Sequence, residues 1–276
     1  MADLRITELA ALTTVLGEDL LAIVDDPTGT ASTKKIRVDN FQASGGGWIN
    51  AADMTYASAD DPTFTATMSG DVSGIYGAGM RIKLTQPTGG TKYFIITKIA
   101  VSGDTTLTLY GGTDYNLENE TITAPYYSFV KCPHGFPLSP VVWTAEATDT
   151  TQRLQATPTQ NTWYNLGSFS LSIPIGAWKV CYMVTSHCND TTAANYVIQS
   201  TLSTANNSAS DADLTTSVFG GSFVNLAQRF YTEKYLSLSS KTAYYLNTRT
   251  TSASVDNLVS RNDEAKAIIR AVCAYL

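Results

Sequence analysis

Charge is scarce in this sequence. Asp, Glu, Lys and Arg together supply 15% of its 276 residues, well under the roughly 25% of an average globular chain. Glu, Lys and Arg are the side chains from which solvated helices are built, so their shortage argues against a helical fold. The 18 Lys and Arg are scattered, with no run longer than Lys34-Lys35, and the net charge is −6. The clustered basic face with which a nucleic-acid binder displaces counterions from phosphates is therefore missing. No stretch approaches the roughly 18 consecutive apolar residues of a membrane span, so no membrane insertion is expected. The opening MADLRITELAALTT carries acids and no continuous apolar stretch, so it does not read as a secretory signal.

Histidine and cysteine are sparse too. The two histidines are His134 and His187, and the four cysteines are Cys132, Cys181, Cys188 and Cys273, none of them in a C-x-x-C pair. A metal centre needs further ligands at definite spacing, and neither Cys132-Pro133-His134 nor His187-Cys188 supplies them. His134 is expected in an interdomain turn and His187 in a loop. So few cysteines in a chain of this length do not make a disulfide framework. They are expected as free, mostly buried thiols. Catalytic signatures are absent as well: no G-x-S-x-G elbow, no H-E-x-x-H helix, no phosphate-binding loop. The glycine-rich Gly74–Gly79 runs into a strand pattern, so no helix N-terminus awaits a phosphate. Glycoside hydrolysis needs two opposed carboxylates. Asp25-Asp26 and Asp60-Asp61 are adjacent, sit beside Pro27 and Pro62, and read as turn formers, while Glu118, Glu120 and Glu146 are isolated. No catalytic residue, metal ligand or cofactor is assigned, and the chain is expected not to be an enzyme. Asn-x-Ser/Thr triplets at Asn119, Asn189 and Asn206 are what an Asn-, Ser- and Thr-rich chain produces by chance.

Apolar residues, by contrast, reach 43%, and Tyr alone occurs 15 times. Ser, Thr, Asn and Gly fill the space that charge leaves. β-Branched and aromatic residues fit a pleated, half-buried surface, so the expectation is an all-β chain in three units. Residues 1–44 hold a hairpin: LLAIVD (20–25), a turn rich in Pro27 and Gly29, and TKKIRV (33–38) with Ile36 and Val38 alternating against Lys35 and Arg37. A lone hairpin is marginal in water, so its apolar stripe must borrow a surface. Residues 45–47 are a glycine linker. Residues 48–137 carry strands at 64–68, 80–85, 92–100, 105–110 and 125–130, a small barrel or sandwich. In the second of these Arg81 and Lys83 are expected to face outward, and the third is apolar on both faces. Residues 138–276 carry strands at 141–145, 162–167, 168–173, 177–184, 195–202, 222–230, 234–239, 243–250 and 266–276, a jelly-roll-like sandwich. Its long polar loops are expected at 185–194 and 203–218. Aromatic side chains can stack on sugar rings beside hydrogen-bonding neighbours. Candidates for such binding are Trp163, Tyr164, Tyr231 and Tyr235, with Asn189, Asp190, Asn206 and Asn207.

The stretch ITELAALTTVLGEDLLAIVDDPTGTASTKKIRVDNF (6–41) resembles the N-terminal segment of tailed-bacteriophage virion proteins: tail fibres, spikes and head fibres. The shared parts are the ITEL phrase, the DLLxIVD strand, the glycine turn and the TKKIxVxNF strand. GMRIKLTQ (79–86) and the closing PYYSFVKCPHGFP (125–137) are similar to a β module that follows in phage structural proteins. SIPIGAWKVCYMV (172–184) is similar to a strand of trimeric jelly rolls that end phage fibres. The resemblance implies a virion protein made in the host cytoplasm and placed on the particle surface. Leu21, Ile23, Ile36, Val38 and Phe41 would anchor it to other virion proteins, as a homotrimer whose sandwich meets a host glycan. A capsid decoration protein without a receptor, a polysaccharide-trimming spike and a sugar-binding module outside any virus are the alternatives. No collagen-like or coiled-coil stalk occurs, which favours a short fibre.

Overall fold

The computed structural model describes the backbone of residues 20–25, 32–37 and 46–276, and side chains within 46–189, 197–220 and 227–276. The chain is all-β, and the described residues include two single-turn 3₁₀ segments, at Ser73–Ile75 and Leu166–Ser168. β1 (Leu20–Asp25) and β2 (Ser32–Arg37) pair antiparallel, with Leu21 opposite Ile36 and Ile23 opposite Lys34. Among the described residues no third strand joins them. Val38 and Phe41 lie outside the described residues.

The second unit is a seven-stranded antiparallel sheet. In chain order its strands are β3 (Ile49–Asn50), β4 (Thr55–Asp60), β5 (Thr63–Met68), β6 (Arg81–Gln86), β7 (Gly90–Ser102), β8 (Asp104–Tyr110) and β9 (Thr123–Ser128). In space they run β3-β9-β6-β7-β8-β5-β4. Tyr56 of β4 and Tyr127 of β9, from opposite ends of that order, pack on one core built around Phe94, Ile82 and Leu107. The sheet therefore curls around its own apolar face. Its middle strand β7 is apolar on both faces: Phe94 and Ile96 serve that core, while Ile95 and Tyr93 serve a different one.

The third unit is organised by one long ribbon. β13 (Gly176–Ser203) and β14 (Thr215–Leu238) pair from Gly176↔Leu238 to Thr201↔Thr215, with register shifts between Asn189 and Val197. Fully extended, β13 would reach roughly 90 Å. Instead the ribbon folds back on itself: the Tyr182 hydroxyl donates to the Ser200 carbonyl at 2.7 Å, and the Ser186 and Ser200 hydroxyls lie 3.3 Å apart. Register shifts bend a ribbon because they leave residues unpaired and raise the local twist. The first half of β13 continues sideways into β17 (Ala267–Cys273) and β10 (Thr144–Asp149). The second half continues into β15 (Thr242–Thr250) and β12 (Ser170–Ile173). These are the two layers of a sandwich, and β11 (Arg153–Ala156) with β16 (Asn257–Ser260) pairs alongside the fold-back, β16 binding β13 at Ser186–Asn189.

Several sequence expectations need correction. The expected loop at 185–194 is strand, and His187 lies within it opposite Ala227 and Val259. Its small polar residues suit a place where two layers meet closely, and backbone partners on both sides override weak strand propensity. The expected loop at 203–218 shrinks to a turn over 204–214, and the expected strands at 222–230 and 234–239 are one. Segment 162–167 is not a strand but an isolated Tyr164↔Thr248 bridge followed by a 3₁₀ turn. The strand expected at 141–145 begins only at Thr144. β3, β4, β11 and β16 were not expected. Glu146 is bound by Arg270 at 2.5 Å, and Glu120 accepts from the Thr88 amide at 2.9 Å.

The two β units share a core. Trp48, Ile95, Tyr110 and Phe136 from the first pack with Trp143, Trp178, Ile173 and Cys273 from the second. Tyr110 meets Trp178 edge-on at 5.0 Å, and Phe136 stacks on Trp143 at 5.1 Å. Arg81, expected to face outward, is 1% exposed. Outward from the curled sheet's own core is here inward to the shared one. Lys83 points the same way and lies over the Trp48 and Tyr126 rings at 4.9 and 4.2 Å, where burial lowers its pKa. At the junction, the Gly46 carbonyl accepts from the His134 amide at 2.8 Å.

A buried carboxylate ties β10 to the β11–β16 pair. Asp149 accepts from Arg153 Nε at 2.9 Å, the Thr151 amide at 3.0 Å and Asn262 Nδ2 at 3.0 Å. Burial pushes its pKa up, but these hydrogen bonds outweigh it and hold the group below the ordinary carboxylate value. A depressed folded pKa adds stability that is present above the unfolded value and lost as pH falls through the folded one. Asp149→Asn is therefore expected to lower the melting temperature at neutral pH and to narrow the loss between neutral pH and pH 3. An unchanged acid limb in a melting series would assign that limb to other carboxylates.

Candidate functional site

The fold-back of the ribbon brings its turn, 204–214, over the second layer of the sandwich. There it forms a cleft of about 520 Å³ lined by Trp163, Ser210, Asp211, Thr215 and Arg249, with Ala209 and Ala212. Arg249 and Thr215 of that lining belong to rows of side chains that continue on neighbouring strands. Register sets Ser217 opposite Gln199 and Gln199 opposite Arg249. Gln199 Nε2 donates to Ser217 Oγ at 2.6 Å, and Arg249 Nε donates to Gln199 Oε1 at 2.5 Å. The Thr201 and Thr215 hydroxyls meet at 2.8 Å one row along. Trp163 forms a wall, with the Arg249 guanidinium 4.5 Å from its ring centre.

The opposite wall is pinned at several points. Asn247 Nδ2 donates to the Ala205 and Ser208 carbonyls at 3.0 and 2.7 Å. Asn207, at φ +55°, accepts from the Asn165 amide at 2.6 Å and donates its own amide to Asn247 Oδ1 at 3.2 Å. Asp211 and Asp213 both bind Lys234, at 2.7 and 2.8 Å. Those two hydrogen bonds hold Lys234 above the ordinary lysine value. The arrangement offers an aromatic wall beside a fixed row of hydroxyl, amide and guanidinium groups, the combination that receives a polyhydroxylated ring.

The sequence candidates distribute over three places. Trp163 and Asn207 belong to this cleft region, with Asn206 exposed on the same turn. Tyr164 is structural: its backbone bridges Thr248, its hydroxyl accepts from the Thr159 amide at 2.8 Å, and its ring packs on the shared core. Asn189 is not in a loop but in β13, opposite Asn225 and Asn257. Asp190 follows it in the strand, and its side chain lies outside the described residues. Tyr231 and Tyr235 are 52% and 69% exposed on the outer face of β14, away from the cleft. Arg249, Gln199, Ser210 and Thr215 were missed. The one available signal was Arg249 itself, the sole charge in the strand AYYLNTRT.

Among the described residues no group of three or more His, Cys, Asp or Glu side chains is placed to hold a metal. The four cysteines are free, with Cys188 and Cys273 buried, Cys181 half-buried and Cys132 exposed. Burial pushes the Cys188 thiol up to about 12 and the Cys273 thiol up to about 11.

No family model matches the chain, and no curated protein matches it. Solved structures show a loose likeness, two of them as follows. One is dimeric latent PorU from Porphyromonas gingivalis, at 6% identity and a TM-score of 0.29, over 85% of this chain and 26% of that one. The other is infectious bursal disease virus, Gx strain, at 12% identity and a TM-score of 0.31, over 81% of this chain and 59% of that one.

Proposed function

We propose that the chain is a structural protein of a bacteriophage virion: a short homotrimeric fibre or spike, anchored through its N-terminal segment and presenting its sandwich to a host-surface glycan. The observation that carries this reading is the β1–β2 hairpin. Its two strands fall on the DLLxIVD and TKKIxVxNF phrases that carry the virion-anchor resemblance, and among the described residues it pairs with no other strand. Two strands alone are marginal in water, so the segment is suited to completing its packing on another protein. The body behind it is a single packed unit, since both β units share one core. Such a body suits a projection that must transmit position from anchor to tip. The Trp163–Arg249 cleft is the place on the sandwich best furnished for a sugar.

The test uses particles that lack the protein. Full-length chain is expected to bind them, and a variant carrying Leu21→Asp and Ile36→Asp is expected to lose about 100-fold in affinity with its circular dichroism unchanged. On whole host cells, Trp163→Ala is expected to weaken retention about tenfold, the scale of one lost stacking contact. Particle binding without any cell binding would give the decoration role instead. Failure of the wild-type chain to bind particles would overturn the virion reading, and release of soluble sugar from cells would make it an enzyme.

A further inference from the structure

The outer face of the first sandwich layer, formed by β10, β17, the first half of β13 and the second half of β14, is not that of a solvated sheet. Antiparallel sheets with one face in water alternate apolar and polar residues. Here β17 reads AIIRAVC: Ala267, Ile269, Ala271 and Cys273 face the shared core, and of its outward positions Val272 is half-buried while Ile268, 4% exposed, is already covered within the chain. Register continues Ile268 into Met183 and Tyr231, and Val272 into Lys179 and Tyr235. The row between them is Glu146, Arg270, Cys181 and Glu233.

Four of the charges on this face are paired within it, and Arg229 at its end donates to Thr185 and Met183. Glu146 binds Arg270 at 2.5 Å and Glu233 binds Lys179 at 2.9 Å. The Tyr231 hydroxyl donates to Glu233. The face is thus electrically neutral across these four residues on a chain of net charge −6, so like-charged copies can approach here without repulsion. Its two edges differ in shape. One edge carries Tyr231 and Tyr235, projecting at 52% and 69% exposure. The other carries a cleft of about 610 Å³ lined by Pro140, Val141, Thr144 and Val272, with Val141 77% exposed at its lip.

We propose that this face is the contact between copies of the chain, with the Tyr231–Tyr235 edge of one copy seated in the Val141–Val272 cleft of the next. Knob and socket lie on opposite edges, so the contact is heterologous, the type from which a closed three-fold ring is built. Four strands at ~4.8 Å spacing and about eight residues of strand give a footprint of roughly 500 Å² before side-chain relief. In a ring that face is divided between two neighbours, so each contact takes about half of it on each partner, a small interface to which the Leu138–Val141 lip adds. The inference rests on the homotrimer reading above and adds where the copies meet.

The test measures the mass of the full-length chain by light scattering after size exclusion. Wild type is expected at three chains. Tyr231→Glu with Tyr235→Glu, and separately Val141→Glu, are expected at one chain, with the half-dissociation concentration raised at least about 100-fold and an unchanged far-ultraviolet spectrum. As a second measurement that does not depend on disruption, Tyr235→Cys with Val141→Cys in a Cys132→Ser background is expected to form a covalent ladder ending at three chains. Wild type at three chains, with both variants still at three and no ladder, overturns this contact and leaves the trimer standing. Tyr235→Cys alone forming covalent dimers overturns it in favour of a two-fold contact. Wild type at one chain at high concentration overturns the trimer itself.

Discussion

Replacing Trp143 by alanine is expected to destabilise the protein by about 3–5 kcal/mol, the cost of emptying a well-packed aromatic site. For a chain of this size that lowers the melting temperature by roughly 10 °C. Trp143 is fully buried. Its ring stacks on Phe136 at 5.1 Å, and Tyr110 packs at 5.9 Å. Its indole N–H donates to the Pro137 carbonyl at 2.8 Å. Removing the ring leaves a cavity whose walls belong to both β units and strips that carbonyl of its donor. Because the cavity is shared, the two units are expected to melt in one transition, earlier than wild type but still single. Differential scanning calorimetry checks this. Two separated transitions in the variant would show that each unit holds its own core and that the shared cluster is only contact. Trp163→Ala, at the half-exposed cleft wall, is the control and is expected to move the melting temperature far less.

What the sequence showed depended on whether local pattern or distant partners decided each residue. Strands of the curled sheet were legible because alternation and glycine turns are local signals: β5, β6, β7 and β8 fall within a few residues of expectation. β7 even showed its double role, since nine residues apolar on both faces mark a strand covered twice. The ribbon was not legible as one object. Its middle, TSHCNDTTAA, has the composition of a loop, and it is strand only because the chain folds back to supply partners far away in sequence. The four missed strands are short or weakly alternating, and two of them, β3 and β16, span only Ile49–Asn50 and Asn257–Ser260. The site followed the same rule. Trp163 could be named because aromatic residues stand out. The Ser217–Gln199–Arg249 row could not, because three polar residues on three strands carry no spacing in the sequence. Tyr164 looked like Trp163's neighbour in function, yet a backbone bridge to Thr248 turns it to the core.

Arg81 carries the second large expectation. Its guanidinium is buried at the seam, donating through Nε to the Lys131 carbonyl at 3.2 Å, through Nη2 to the Tyr275 carbonyl at 2.9 Å, and through Nη1 to the Gly79 carbonyl. The Phe136 ring lies 4.9 Å away. Burial pulls its pKa down, but an arginine remains protonated throughout the working range. One planar fork thus satisfies carbonyls from the curled sheet, from the segment that leaves it and from the chain's last residues, and the Tyr275 ring closes over Gly79 beside it. Arg81→Met keeps the stem and removes the donors. Buried carbonyls left unpaired cost roughly 1–3 kcal/mol each, so a loss of about 3–5 kcal/mol is expected, with melting lowered by roughly 10 °C. Arg81→Lys is expected to recover little, because a single ammonium cannot span three carbonyls that a flat fork reaches together. Hydrogen exchange distinguishes this latch from a general weakening: in Arg81→Met the amides of β17 and residues 274–276 should exchange faster before those of the ribbon do. Uniform acceleration across the sandwich, or a melting temperature equal to wild type, would mean that the carbonyls find other donors and that the chain's end is held by its own packing.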